Sequence, residues 1–179
     1  MKIIAFTGMP FSGKSEAVEI AKRNDIPVIR IGDMIWDEVK SRNLELSDEN
    51  VGKIANDMRK KHGKDIWARR TIEKIKKMKT EDILVVDGVR NDEEVETFKQ
   101  NLAKDFILVA VEVPDKLRYQ RAMNRNRQDD ALDLEKVKLR DKREIGWGID
   151  RVIASADIVI SNKGSLEEFQ RKINNLFKR

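Results

Sequence analysis

The residues Gly8-Met9-Pro10-Phe11-Ser12-Gly13-Lys14-Ser15 match the phosphate-binding loop pattern G-x-x-x-x-G-K-S/T, and they stand between an apolar run, Ile3-Ile4-Ala5-Phe6, and a helical stretch. A strand that ends in such a loop brings several backbone N–H groups and the positive end of the next helix to one point, which suits a triphosphate. Gly8 and Gly13 allow backbone conformations and close approaches that a Cβ would obstruct. Lys14 would reach the β- and γ-phosphates as a point charge, and the Ser15 hydroxyl would be a ligand of Mg²⁺. Asp87 ends a second apolar run, Ile83-Leu84-Val85-Val86, and is followed by Gly88. That is the place for an acidic residue holding a Mg²⁺ water, so Ser15 and Asp87 are the expected metal pair. Asp33 follows a strand-like run too, but it also precedes a helix, so N-capping and a metal or acceptor role both remain open there.

The elements that must position these residues can be read along the chain. Glu16 to Arg23 carries Ala17, Val18, Ile20 and Ala21 on one helical face. Ile26 to Ile31 reads as a second strand closed by Gly32-Asp33. The first unit is therefore strand, loop, helix, strand, which implies a parallel pair with a right-handed crossover. Asp33 to Lys79 is helical and highly charged, with breaks near Asn43–Leu46 and at His62-Gly63, Ser47 as an N-cap and Gly63 as a stop. Asp82 to Asp87 and Phe106 to Val113 are near-continuous β-branched or aliphatic runs, the pattern of central strands buried on both faces. Charged helices fill the intervals: one to about Leu102, one from Asp115 through Arg118, Arg121, Arg125 and Arg127, and one to about Glu144. Asp157 to Ile160 is a short last strand. Leu166 to Phe177 is an amphipathic terminal helix with Leu166, Phe169, Ile173 and Leu176 on one side. Five strands alternating with helices predict an α/β, three-layer P-loop NTPase fold with a five-stranded parallel sheet.

The chain of 179 residues suffices for one α/β domain. Residues 1–179 are expected to form a single P-loop kinase domain, with 33–80 a helical acceptor-side insertion and 121–148 a short helical lid region. Without cysteines it has neither disulfides nor thiolate metal sites, and a reducing cytoplasm is its natural setting. Neither a signal segment nor an apolar run of membrane-spanning length is evident. The net charge of +5 attracts anions, and nucleotide polyphosphates suffice as partners; the balance permits nucleic acid without requiring it.

The loop, Ile31-Gly32-Asp33-Met34-Ile35, Asp87-Gly88-Val89-Arg90, and Arg127-Gln128-Asp129-Asp130 with the later Arg140 together resemble the adenylate kinase and nucleoside monophosphate kinase group. Ala156 to Ser165 is similar to the same stretch of dephospho-CoA kinase. Over essentially its whole length the chain resembles an archaeal family of adenylate-kinase-related, dephospho-CoA-kinase-like proteins. The resemblance implies an ATP-dependent kinase using Mg²⁺ with ATP as phosphoryl donor and a small acceptor such as a nucleoside monophosphate or dephospho-CoA. It implies that Asp33 and Arg90 serve the acceptor side, Arg90 binding an acceptor phosphate. It makes Arg121, Arg125, Arg127 and Arg140 lid arginines, and it passes Asn162-Lys163-Gly164-Ser165 near the adenine. Guanidinium groups suit the charge that phosphoryl transfer places on γ-phosphate oxygens. The chain departs from adenylate kinases at Trp36, where they place the arginine that binds AMP phosphate, and it goes directly from Gly88 to Val89-Arg90. Trp36 could stack on an acceptor base or simply pack, and Arg59 or Arg69 could supply the missing charge. Trp67, Trp147 and Tyr119 are expected to pack. An alternative from another class is an ATPase switch of kinase-like fold acting on RNA or a protein.

Overall fold

The computed structural model describes residues 1–78, 82–124 and 134–178. The apolar runs form five strands, β1 (Lys2–Thr7), β2 (Val28–Arg30), β3 (Ile83–Asp87), β4 (Phe106–Glu112) and β5 (Ile158–Ser161). All pairings are parallel, in the order β2-β3-β1-β4-β5. β1, flanked on both sides, alternates its side chains between two cores, as the pleat requires. Ile3 and Ala5 join one core, while Ile4 and Phe6 join the other.

On the second face lie α1 (Lys14–Arg23), through Ala17, Ile20 and Ala21, and the terminal α9 (Leu166–Phe177), through Phe169, Ile173 and Leu176. The first face is covered by α2 (Ile31–Ser41), α3 (Asp48–His62), α4 (Ile66–Lys77), α5 (Asp92–Leu102) and α8 (Ile149–Ala154). Between β4 and β5 run α6 (Asp115–Met123) and α7 (Leu134–Trp147). A 3₁₀ turn, Ala103–Asp105, leads into β4. Ser47 caps α3 by accepting from the Asn50 N–H at 3.2 Å, and Gly63 ends it at φ 99°.

Three boundaries differ from the sequence reading. The second strand is the three residues Val28–Arg30, and Gly32-Asp33 lies in the first turn of α2 rather than closing a strand. This edge strand pairs only with β3, and the Asp33 carboxylate suits the positive end of a helix. The helix expected to end near Glu144 continues to Trp147, and Gly148, at φ 100°, turns the chain into the separate α8. Leu166 is 55% exposed, so Phe177 rather than Leu166 completes the buried face of α9. A side chain in the first turn of a helix lies at the open end of the element, where the sheet no longer covers it.

Phe98 is fully buried and stacks on Phe106, with centroids 5.2 Å apart and planes at 9°. Phe98→Ala should therefore lower unfolding stability by about 3–5 kcal/mol. Urea unfolding with an unchanged slope would show it; a loss below about 1 kcal/mol would mean that this core is not close-packed.

Candidate active site

β1 ends at Thr7, whose hydroxyl donates to the Val89 carbonyl at 2.9 Å and ties the start of the loop to the turn after β3. Gly8 has φ 143°, and a Cβ there would stand 2.5 Å from the Val111 carbonyl oxygen; Gly13 has φ 109° and is pressed against the Asn162 side chain. Both positions therefore require glycine. The Lys14 ammonium folds back on the loop, donating to the carbonyls of Gly8 at 2.5 Å and Met9 at 3.0 Å. Burial pushes its pKa from the ordinary 10.5 down to about 8; the Asp87 carboxylate opposes that shift and the Arg90 guanidinium adds to it.

The loop is held from behind by a buried cation. Arg118, 1% exposed, donates to the Pro10 carbonyl at 2.9 Å and to both oxygens of Asp141 at 3.1 and 2.7 Å. The Tyr119 hydroxyl also donates to Asp141, at 3.1 Å, so this tyrosine has a polar role besides packing. From the other side, the Asn162 amide donates to the Ser12 carbonyl at 2.8 Å, and Arg121 donates to the Asn162 carbonyl at 2.9 Å. Arg118 lies amid the charged residues of α6, with no pattern in the sequence to separate it from its exposed neighbours.

In front of the loop is a cleft of about 410 Å³. Gly8, Pro10, Phe11, Ser12, Gly13, Lys14 and Ser15 line it together with Asp87, Arg90, Arg121 and Arg140. Asp87 sits opposite Phe6 in the β1–β3 register, which sets its carboxylate beside the start of the loop. Its Oδ2 is 3.7 Å from Arg30 Nε, and its Oδ1 is buried without a hydrogen-bond partner among the described residues. An enclosed carboxylate oxygen lining the same cleft as Ser15 fits a site for Mg²⁺ bound together with a phosphate ligand. Among the described residues no group of three or more His, Cys, Asp or Glu could hold a metal alone.

The other expected site residues are placed differently. Met9 and Lys163 line a second hollow, of about 390 Å³, with Val111, Pro114 and Ile153. Asn162 braces the loop, and Gly164 is exposed beside it. Asp33 and Trp36 are on α2 outside the cleft lining, Trp36 being 42% exposed; Arg30 and Gly32 line the cleft instead. Arg125 and Arg127, with Asp129 and Asp130, lie outside the described residues. Arg59 is buried against Glu94 at 2.9 Å, and Arg69 turns outward to Asp65, so neither is a spare cation for an acceptor. Trp147 does more than pack: its indole N–H donates to Asn56 at 2.5 Å, and the guanidinium groups of Arg59, Arg90 and Arg143 lie 4.5, 5.4 and 5.7 Å from its ring. Glu144, 1% exposed, also lines the cleft and accepts from Arg90 Nη1 at 2.7 Å.

The parallel sheet with a phosphate loop after its central strand defines a P-loop protein of kinase-like fold. Shikimate kinase from Bacteroides thetaiotaomicron superimposes with a TM-score of 0.64, at 12% identity and over 99% of each chain. Shikimate kinase from Aquifex aeolicus does so with a TM-score of 0.54, at 16% identity and over 98% and 96%. A family model described as an AAA domain matches residues 7–138. The chain belongs to the UPF0200 family: it is 45% identical to the UPF0200 protein of Methanosarcina acetivorans, over 98% of this chain and 94% of that protein. The UPF0200/UPF0201 protein of Archaeoglobus fulgidus is 44% identical over 98% of this chain, which spans 55% of that protein. Among the described residues no helix is long and apolar enough to cross a membrane.

The depressed Lys14 pKa gives a stability test. Between about 8 and 10.5 the unfolded chain binds a proton at Lys14 that the folded chain lacks, so this lysine's penalty on the ligand-free fold shrinks as pH rises through that window. Lys14→Met should exceed the wild type in urea resistance near neutral pH, and the gap should narrow toward pH 10.5. A gap constant across the window would mean that Lys14 is not desolvated.

Arg118→Met leaves Asp141 buried without its cation. It should lower stability by about 3–5 kcal/mol and weaken nucleotide affinity, measured by urea unfolding and calorimetry. Wild-type affinity would mean that the loop holds its shape without this contact.

Proposed function

We propose that this protein is an ATP-dependent kinase that transfers the γ-phosphoryl group of Mg-ATP to a small metabolite, of a nucleotide or nucleotide-like kind such as a nucleoside monophosphate or dephospho-CoA. The observation that carries the reading is the convergence of Lys14, Asp87, Arg90 and Arg140 on one cleft in front of the phosphate loop. We assign ATP to Gly8–Ser15, Arg121, Arg125 and Asn162–Gly164, and the acceptor to Arg90 with Asp33 and Trp36 at the outer edge. Lys14, Arg127 and Arg140 would stabilise the charge on the transferring group, with 121–148 as the lid region and 33–80 as the acceptor side. Ser15 and Asp87 would hold a Mg²⁺ ion, whose positive charge would offset that of the phosphates.

Holding the donor and the acceptor in line in this cleft would remove the entropy cost of their meeting. The test is coupled ADP release with Mg-ATP against nucleoside monophosphates, dephospho-CoA and other phosphorylated metabolites. Turnover should fall by about 10²–10³-fold or more in Lys14→Ala. Unchanged turnover in that variant would sink the reading, and ADP release stimulated only by RNA or a protein would replace it with an ATPase switch.

A further inference from the structure

The acceptor side of the cleft is electrically balanced. Two arginines of this side line the cleft, Arg30 and Arg90, and each has a carboxylate partner. Arg30 faces Asp33 and Asp87, both at 3.7 Å, and Arg90 faces Glu144 at 2.7 Å. Arg59 is closed against Glu94. Across the cleft the pattern differs: among the described residues Lys14 and Arg121 donate hydrogen bonds only to uncharged oxygens, and the nearest carboxylate to Arg140, Asp48, stands at 3.9 Å. Positive charge is thus left for the donor's phosphates and neutralised where the acceptor enters.

Glu144 occupies the acceptor wall of that cleft. Its side chain is 2% exposed, Oε1 accepts from Arg90, and Oε2 is buried with no hydrogen-bond partner among the described residues. The carboxylate is close enough to Lys14 to raise its pKa, opposing the larger effect of burial. An ionised carboxylate only accepts hydrogen bonds, so its open oxygen calls for a donor; a phosphate offers like charge, whereas a hydroxyl offers a proton.

Resting on the kinase reading, we propose that the group receiving the phosphoryl is an alcohol hydroxyl, held and deprotonated by Glu144, and not a phosphate. The hydroxyl oxygen forms a bond to Pγ while the bond from Pγ to the β–γ bridging oxygen breaks. ADP leaves with that electron pair, the hydroxyl proton passes to Glu144 Oε2, and the product is a phosphomonoester. Any phosphate that the acceptor carries elsewhere is a handle rather than the reacting group.

The wild-type protein with Mg-ATP is offered alcohols of nucleotide-like build, adenosine and dephospho-CoA, and separately AMP, GMP, CMP and UMP, with products identified by phosphorus NMR. A phosphomonoester from an alcohol and no nucleoside diphosphate from the monophosphates is expected. In Glu144→Gln, turnover should drop by about 10²–10⁴-fold while KM for ATP changes little. Calorimetry with Mg-ADP reports whether the variant's nucleotide site is intact; should it not fold, the wild-type product decides. A nucleoside diphosphate formed from a monophosphate overturns the proposal, as does alcohol turnover indifferent to Glu144→Gln. If ADP appears with no acceptor from either set, water is the hydroxyl being used, and that hydrolysis must fall in Glu144→Gln or the proposal is wrong. Absence of ADP under every condition removes the kinase reading itself, and this inference with it.

Discussion

The register between β1 and β3 is the constraint on which the site depends. Phe6 pairs with Asp87, so the last turn of the phosphate-loop strand and the carboxyl end of its neighbour arrive at the same height. Parallel strands put all their carboxyl ends at one edge of the sheet, and the turns that follow them share the ligand crevice. One more pairing, Arg30 with Asp87 between β2 and β3, brings a guanidinium to that edge. A shift of register by one residue would turn Asp87 into one of the cores, where an unpaired carboxylate is unstable.

Around that edge, buried ion pairs act as joints between helices. Arg59 of α3 meets Glu94 of α5, Arg90 of the β3–α5 turn meets Glu144 of α7, and Arg118 of α6 meets Asp141 of α7. Glu94 also accepts the Arg90 backbone N–H at 2.8 Å, so one carboxylate sets both the helix α3 contact and the shape of the turn. Such pairs contribute little net stability after desolvation, but losing one partner leaves a buried charge. Their effect is positional: they give charged helices with modest apolar faces a unique arrangement around the cleft.

The phosphate loop, its two glycines, Lys14 and the strand-to-helix context were legible in the sequence because they are contiguous, and a local pattern specifies a local backbone. The five strands were legible for a similar reason, since buried parallel strands appear as continuous apolar runs. Asp87 could be singled out because it ends such a run. The second strand's true end, the Gly148 break and the exposure of Leu166 were not legible. Each depends on where a neighbouring element stops covering the chain, which short-range periodicity does not encode.

Glu144, Glu94, Arg59, Arg118 and Asp141 lie in stretches where charged residues follow one another, and nothing local distinguishes a buried one from a solvated one. Only packing selects them, because enclosing one charge requires a partner from a distant segment: Arg118 and Asp141 are separated by 23 residues, Arg90 and Glu144 by 54. Trp36 and Trp147 illustrate the same division. One tryptophan stands outside the cleft and the other gathers three guanidinium groups, and only the tertiary arrangement separates them. By itself the sequence determined that this chain forms a phosphate loop at the end of a buried parallel strand, through contiguous residues acting on their own backbone. The tertiary structure alone decided which charges face the cleft and which are cancelled, because that balance is struck between side chains far apart in the chain.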